Sequence, residues 1–219
     1  MQAETQGSLS TLSDHFASIP WCASILKLPG TVTFLPVSRI DPSQLPEDCC
    51  PSQDQLFKHT LASETAVPNC LGFYQDPTAA PGSEHCDLPF VLPSASLLFD
   101  IRSGVNGFNG TAHGGFIAAM MDEAMGTFLF QNDIANREAK AEGVIPSSAQ
   151  DFKDVAYVTA RINIAYRRPL PTPKTVVVTA SLKRLDGRKA YIHVVVKGEA
   201  GEEYAVSDAM WVKIQRGSL

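Results

Sequence analysis

Two neighbouring carboxylates, Asp122 and Glu123, interrupt the apolar run Phe116-Ile117-Ala118-Ala119-Met120-Met121 and Ala124-Met125. A carboxylate removed from water without a partner costs several kcal/mol or takes up a proton. In such a run it is either tied down by backbone amides or an ion partner, or it is kept for use on a substrate. Nine residues before Asp122 stands His113, followed at once by Gly114 and Gly115. Glycines at a helix start leave backbone amides open at the positive end of the dipole, with no side chain to block an approaching carbonyl. Amides aimed at a developing oxyanion in a dry pocket are worth about 3 to 4 kcal/mol of barrier, which is what acyl transfer requires. The plainer reading is that the glycines only let the helix pack closely on a strand.

Spacing adds a demand. Nine helical residues rise about 13 Å over two and a half turns, which puts His113 and Asp122 on opposite faces. If the helix start and the carboxylate serve one carbon atom, each must meet its counterpart in a second copy. This predicts an obligate homodimer with composite sites, with further pairing to a tetramer left open.

The elements that position these groups follow from pattern. His113 to Gln131 is apolar on every side, so it predicts a buried helix wrapped by a sheet. Before it, Ser96 to Arg102 reads as a strand. After it come four more, Val155 to Arg167, Lys174 to Leu185, Lys189 to Glu199 and Glu203 to Ile214, rich in Val, Ile, Thr and Tyr and joined by Gly-containing turns. Asn132 to Asp154 mixes charge, Gly, Pro and Ser and reads as a loop, a candidate lid. From Ile19 to Pro93 prolines are frequent, which disfavours long helices and central strands. Short helices at Ser13 to Lys27 and Ser52 to Ser63 are expected there as packing elements. The fold class is therefore α+β, an antiparallel sheet around one long helix (residues 95–219), with a proline-rich N-terminal extension (residues 1–94) packed on it.

Composition removes several classes of function. The 219 residues are 44% hydrophobic and carry 18 Lys plus Arg against 23 Asp plus Glu, a net charge of −5. This argues against nucleic acid or anionic membranes as partners. No run approaches the roughly 18 apolar residues of a membrane span. The five cysteines (22, 49, 50, 70, 86) and the scattered histidines lack paired ligand spacing, so neither a disulfide framework nor a metal site is expected. The first residues resemble no signal or transit peptide, and Gly217-Ser218-Leu219 lacks the basic residue of a peroxisomal tripeptide. The expectation is a cytoplasmic protein.

Two blocks carry a likeness to a known family: Gly110-Thr111-Ala112-His113-Gly114-Gly115-Phe116-Ile117-Ala118-Ala119-Met120-Met121-Asp122-Glu123, and Val158-Thr159-Ala160-Arg161-Ile162-Asn163-Ile164-Ala165-Tyr166-Arg167-Arg168-Pro169. In them the chain resembles the hotdog-fold acyl-coenzyme A thioesterases, in the branch that includes the phenylacetyl-CoA and long-chain acyl-CoA hydrolases. The first 94 residues resemble the looser N-terminal extensions of eukaryotic, especially fungal, members. The resemblance implies the hotdog fold and two protomers pairing their sheets edge to edge. It also implies that Asp122 activates water or attacks directly, that Gly114 with Gly115 donates to the thioester oxygen, and that Thr159 helps hold the water. His113 in the family mostly braces the helix start and has a direct catalytic role as its second reading. Many members carry an Asn six residues before this His; here that position is Gly107, flanked by Asn106 and Asn109, either of which could stand in.

The implied substrate is an acyl-CoA or an acyl group on a carrier protein, with no cofactor. Coenzyme A carries phosphates, so an acidic chain must supply a local basic patch. Arg167 and Arg168 are the candidates, ahead of Lys174, Lys183, Arg184, Arg188 and Lys189 near the following hairpin. Trp211 and Tyr191 read as core residues. Competing readings are a hotdog dehydratase or another thioester-processing enzyme of a biosynthetic, polyketide-type pathway, and a non-catalytic acyl-thioester-binding protein. The presence of both Asp122 and Thr159 speaks against the last.

Overall fold

A computed structural model describes residues 8–40, 54–77, 79, 89–143 and 149–215. The helices are α1 (Leu9–Ala17), α2 (Pro20–Leu26) and α3 (Gly114–Ala141). The strands are β1 (Thr31–Phe34), β2 (Asn69–Gln75), β3 (Ser94–Ile101), β4 (Asn106–Phe108), β5 (Thr111–Ala112), β6 (Val155–Tyr166), β7 (Lys174–Asp186), β8 (Lys189–Lys197) and β9 (Glu203–Gln215). Seven strands form one sheet in the order β1-β2-β3-β7-β8-β9-β6, with every pairing antiparallel, while β4 and β5 make a small hairpin just ahead of α3.

Alternation in the late strands turns Val176, Val178 and Ala180 of β7, and Ala190, Ile192, Val194 and Val196 of β8, toward α3. The helix answers with Phe116, Ile117, Met120, Met121, Ala124, Met125 and Phe128, and together they form the main core. This is the hotdog arrangement that the resemblance implies. The wrap is incomplete in a single protomer: Ala118, Ala119, Asp122, Gly126 and Phe130 form a half-exposed stripe on α3.

The N-terminal part contributes more to the sheet than its prolines imply. β1 and β2 extend the sheet beyond β3, and β2 is an interior strand. Cys70 of β2 joins the main core, while Leu71 and Phe73 face the other way, beneath Leu12 and Phe16 of α1 and Cys22 of α2. Covered on both faces, β2 and β3 read as continuous apolar runs rather than alternating ones. The helix expected over Ser13 to Lys27 is two helices. Pro20 lacks an amide hydrogen and cannot continue α1, so it occupies the first turn of α2. The helix expected over Ser52 to Ser63 is a single wide turn, Leu56–Thr60, with 52 and 53 outside the described residues.

The loop expected from Asn132 to Asp154 is the largest correction. α3 runs on to Ala141 because its polar residues have distant partners. Asn132 accepts from the Leu92 amide at 2.8 Å, Asn136 donates to the Gln150 carbonyl at 2.9 Å, and Arg137 pairs with Asp133 one turn earlier at 2.9 Å. Residues 144–148 lie outside the described set. Among the described residues, no helix is long and apolar enough to cross a membrane. The cysteines at 49, 50 and 86 are outside the described set, whereas Cys22 and Cys70 are buried thiols.

Candidate active site

Asp122 sits one third of the way along α3, beneath β6. Thr159 Oγ1 of β6 donates to Asp122 Oδ1 at 2.7 Å. Burial raises the Asp122 pKa above the ordinary carboxylate value, and the threonine hydrogen bond, which favours the charged form, offsets part of that rise. A carboxylate with its pKa raised in this way is a better proton acceptor than one in water. The cleft at its side holds about 300 Å³ and is walled by Phe130, Phe152, Tyr157 and Trp211, with Asp54, Glu123 and Asp133 among its polar lining.

β6 approaches the helix in an irregular register. Thr159 pairs with Trp211 of β9 and Arg161 pairs with Met210, so Ala160 is an extra residue, a bulge beside the residue that touches Asp122. Trp211 is buried as expected, yet it also walls the cleft, with its ring edge against Gly126.

The helix start is built separately. His113 caps α3, its Nδ1 accepting from the Gly115 amide at 2.9 Å. An accepting Nδ1 carries no hydrogen, so the neutral ring bears its proton on Nε2. With the Gly115 amide taken, the Gly114 amide is left as an open donor, without a hydrogen-bond partner among the described residues. It faces a second cleft of about 570 Å³ that includes His113, Phe108, Tyr166, Arg167 and Arg168. The two arginines thus share a cleft with the helix start, and among the described residues neither makes an ion pair. Three of the five other cations named from sequence are engaged: Lys174 with Glu202 at 2.9 Å, Lys183 with Asp208 at 3.2 Å, and Arg184 stacked 3.7 Å from the Tyr191 ring centre.

The β4–β5 hairpin shows why glycine stands at 107. A Cβ there would lie 2.9 Å from the His113 Cα, so this backbone has no room for a side chain. Asn106 accepts a hydrogen bond from Thr172, and Asn109 is exposed at the hairpin tip. The Asp122 and Gly114 sites are eight residues apart on one helix, about 12 Å of rise, and they open into different clefts.

Sequence reasoning did not foresee the surroundings of Glu123. Its carboxyl hydrogen-bonds Ser38 and feels the charge of Arg39, both buried residues of the turn Val37–Arg39, and that of Asp54. Burial foremost, with Asp54 and Asp122 adding repulsion, pushes its pKa up to about 7 against the opposing effects of Ser38 and Arg39. Only the adjacency of two acids in an apolar run signalled this. The approach of residues 38, 39 and 54 has no local signature.

The sequence pattern of the thioesterase superfamily matches residues 109–205. Among curated proteins, the chain is 28% identical to verlamelin biosynthesis protein B of Lecanicillium sp, over 74% of this chain and 73% of that one. It is also 28% identical to acyl-coenzyme A thioesterase THEM4 of Mus musculus, over 53% of this chain and 42% of the mouse protein, so it spans less than half of that relative's length. Among solved structures, the E. coli PaaI protein from the phenylacetic acid degradation operon aligns at 15% identity, covering 56% of this chain and 73% of that one, with a TM-score of 0.42. Residues 109–205, the part of the chain that is similar to the thioesterase superfamily, carry the capped helix start, Asp122 and Thr159.

Proposed function

We propose that this chain hydrolyses acyl thioesters, with an acyl-CoA as the substrate and an acyl group on a carrier protein as the other form of the same thioester. The observation that carries the reading is the Thr159 hydroxyl on a part-buried Asp122 carboxylate at 2.7 Å, inside the part of the chain that is similar to this superfamily. Asp122 removes a proton from water, the oxygen attacks the thioester carbon, and Gly114, with its neighbour Gly115 shaping the helix start, stabilises the oxyanion. Collapse breaks the carbon–sulfur bond, the electron pair leaves with sulfur, and the proton held by Asp122 restores the thiol. The other product is the carboxylic acid, which loses its proton to the solvent. Arg167 and Arg168 serve the phosphates of coenzyme A, and His113 is first a brace for the helix start.

Because Gly114 and Asp122 open into different clefts of one protomer, the reading includes a homodimer in which each helix start serves its partner's Asp122. The half-exposed stripe on α3 and the unpaired outer edge of β6 support this. Residues 1–94 act as an extension on the domain that follows, and a cytoplasmic location belongs to the same proposal. The name of the Lecanicillium relative favours a biosynthetic thioester over a degradative one.

The test is release of free thiol from acyl-CoAs of several chain lengths. Asp122→Asn is expected to lower kcat by about a hundredfold or more, in line with loss of a general base. Equal slow rates in both proteins would favour a binding module.

A further inference from the structure

Tyr166 ends β6 and is half exposed, yet its hydroxyl donates to the Gly114 carbonyl at 2.9 Å. Its ring lies 3.5 Å from where a Gly114 Cβ would stand. The amide across the same peptide bond, Gly115 N–H, donates to His113 Nδ1. The Gly114–Gly115 peptide is therefore gripped at both poles, the carbonyl by tyrosine and the amide by histidine. A peptide unit is planar, so holding its two ends limits rotation at Gly114, which as a glycine would otherwise have the widest freedom. Gly114's own N–H, the amide left open, belongs to the preceding peptide, whose carbonyl at His113 accepts from the Ile117 amide at 3.1 Å; with the Gly114–Gly115 plane gripped as well, the two planes have little freedom to turn against each other at Gly114.

Tyr166 reaches this place through the bulge at Ala160. Tyr157 packs on the core and Thr159 faces Asp122. Strict alternation would next turn 161, 163 and 165 toward the helix. The extra residue shifts the phase, so that Ile162 and Ile164 pack on the core and Tyr166 meets Gly114. One strand thereby touches both the carboxylate and the helix start.

We propose that Tyr166 is a positioning residue for thioester hydrolysis, fixing through the Gly114 carbonyl the direction in which the Gly114 amide meets the substrate oxygen. The inference rests on the hydrolytic reading above. Tyr166→Phe removes only the hydroxyl, from a half-exposed side chain. Its kcat is expected to fall about tenfold with KM within twofold and an unchanged thermal midpoint. Hydrogen exchange at the Gly115 amide, read without substrate, should rise at least fivefold, while amides in the middle of α3 keep their rates. Unchanged exchange overturns the proposal, as does a kcat within twofold of wild type or an effect confined to KM. Should wild type release thiol no faster than Asp122→Asn, the hydrolytic reading falls, and with it the catalytic purpose assigned to Tyr166. The exchange rates would still report whether its hydroxyl holds the peptide.

Discussion

Glu123 shows how one residue can be held in an uncomfortable state beside the proposed general base. Burial moves its pKa from the usual 4.5 to about 7, with Ser38 and Arg39 limiting the rise. The folded chain therefore keeps a proton that the unfolded chain sheds above the ordinary glutamate value. The associated stability is fully present below about pH 4.5 and is lost as pH climbs through 7. Glu123→Gln keeps the shape and removes the titration. At pH 8 the variant should exceed wild type in unfolding free energy by on the order of 2 kcal/mol, with the gap narrowing toward pH 5. Urea melts at both pH values measure this, and a gap that does not vary with pH would show that Glu123 is ionised in the fold throughout.

At the scale of elements, β6 depends on a single inserted residue. Deleting Ala160 restores regular alternation, turns Ile162, Ile164 and Tyr166 to the opposite face, and leaves Thr159 on Asp122. Thiol release should fall at least tenfold and the thermal midpoint should drop, whereas Ala160→Gly, which keeps the bulge, should be close to wild type. Retained activity in the deletion would mean the strand re-forms the bulge elsewhere. The late strands and the start of α3 were legible because alternation and a glycine-flanked apolar run are local properties. The bulge was not, since Val158 to Tyr166 looks like an ordinary strand until β9 sets the register. The second half of α3 was hidden for a related reason: Asn132 and Asn136 look like loop residues, and Leu92 and Gln150, which hold them, lie 40 and 14 positions away. β2 was obscured by prolines on either side of it. At the site, Asp122 and the glycines at the helix start could be read from residue types and spacing, and Thr159 from the family resemblance, while Ser38, Arg39 and Asp54 arrive only through the path of the whole chain.

For the whole molecule, the composite-site reading makes a numerical demand. Hybrids formed by refolding Asp122→Asn chains with Gly114→Pro chains contain one site with both defects and one with neither. An equal mixture, in which about half the dimers are hybrids, should recover about a quarter of the wild-type turnover per dimer, and no recovery would place both groups' work within one protomer. β6 presents a twelve-residue outer edge, the kind of row that invites pairing with another strand. The order of the sheet also bears on how the protein is made. β3 bonds to β7 through Ser94↔Ser181 and Ile101↔Lys174, so its partner is translated long after it. At about 5 to 20 residues per second, the nascent chain carries β2 and β3 under α1 and α2 for several seconds with one flank bare. During that interval the bonding edge of β3 lacks its native neighbour, and Leu97 and Phe99 lack the part of their core that β7 and β8 supply.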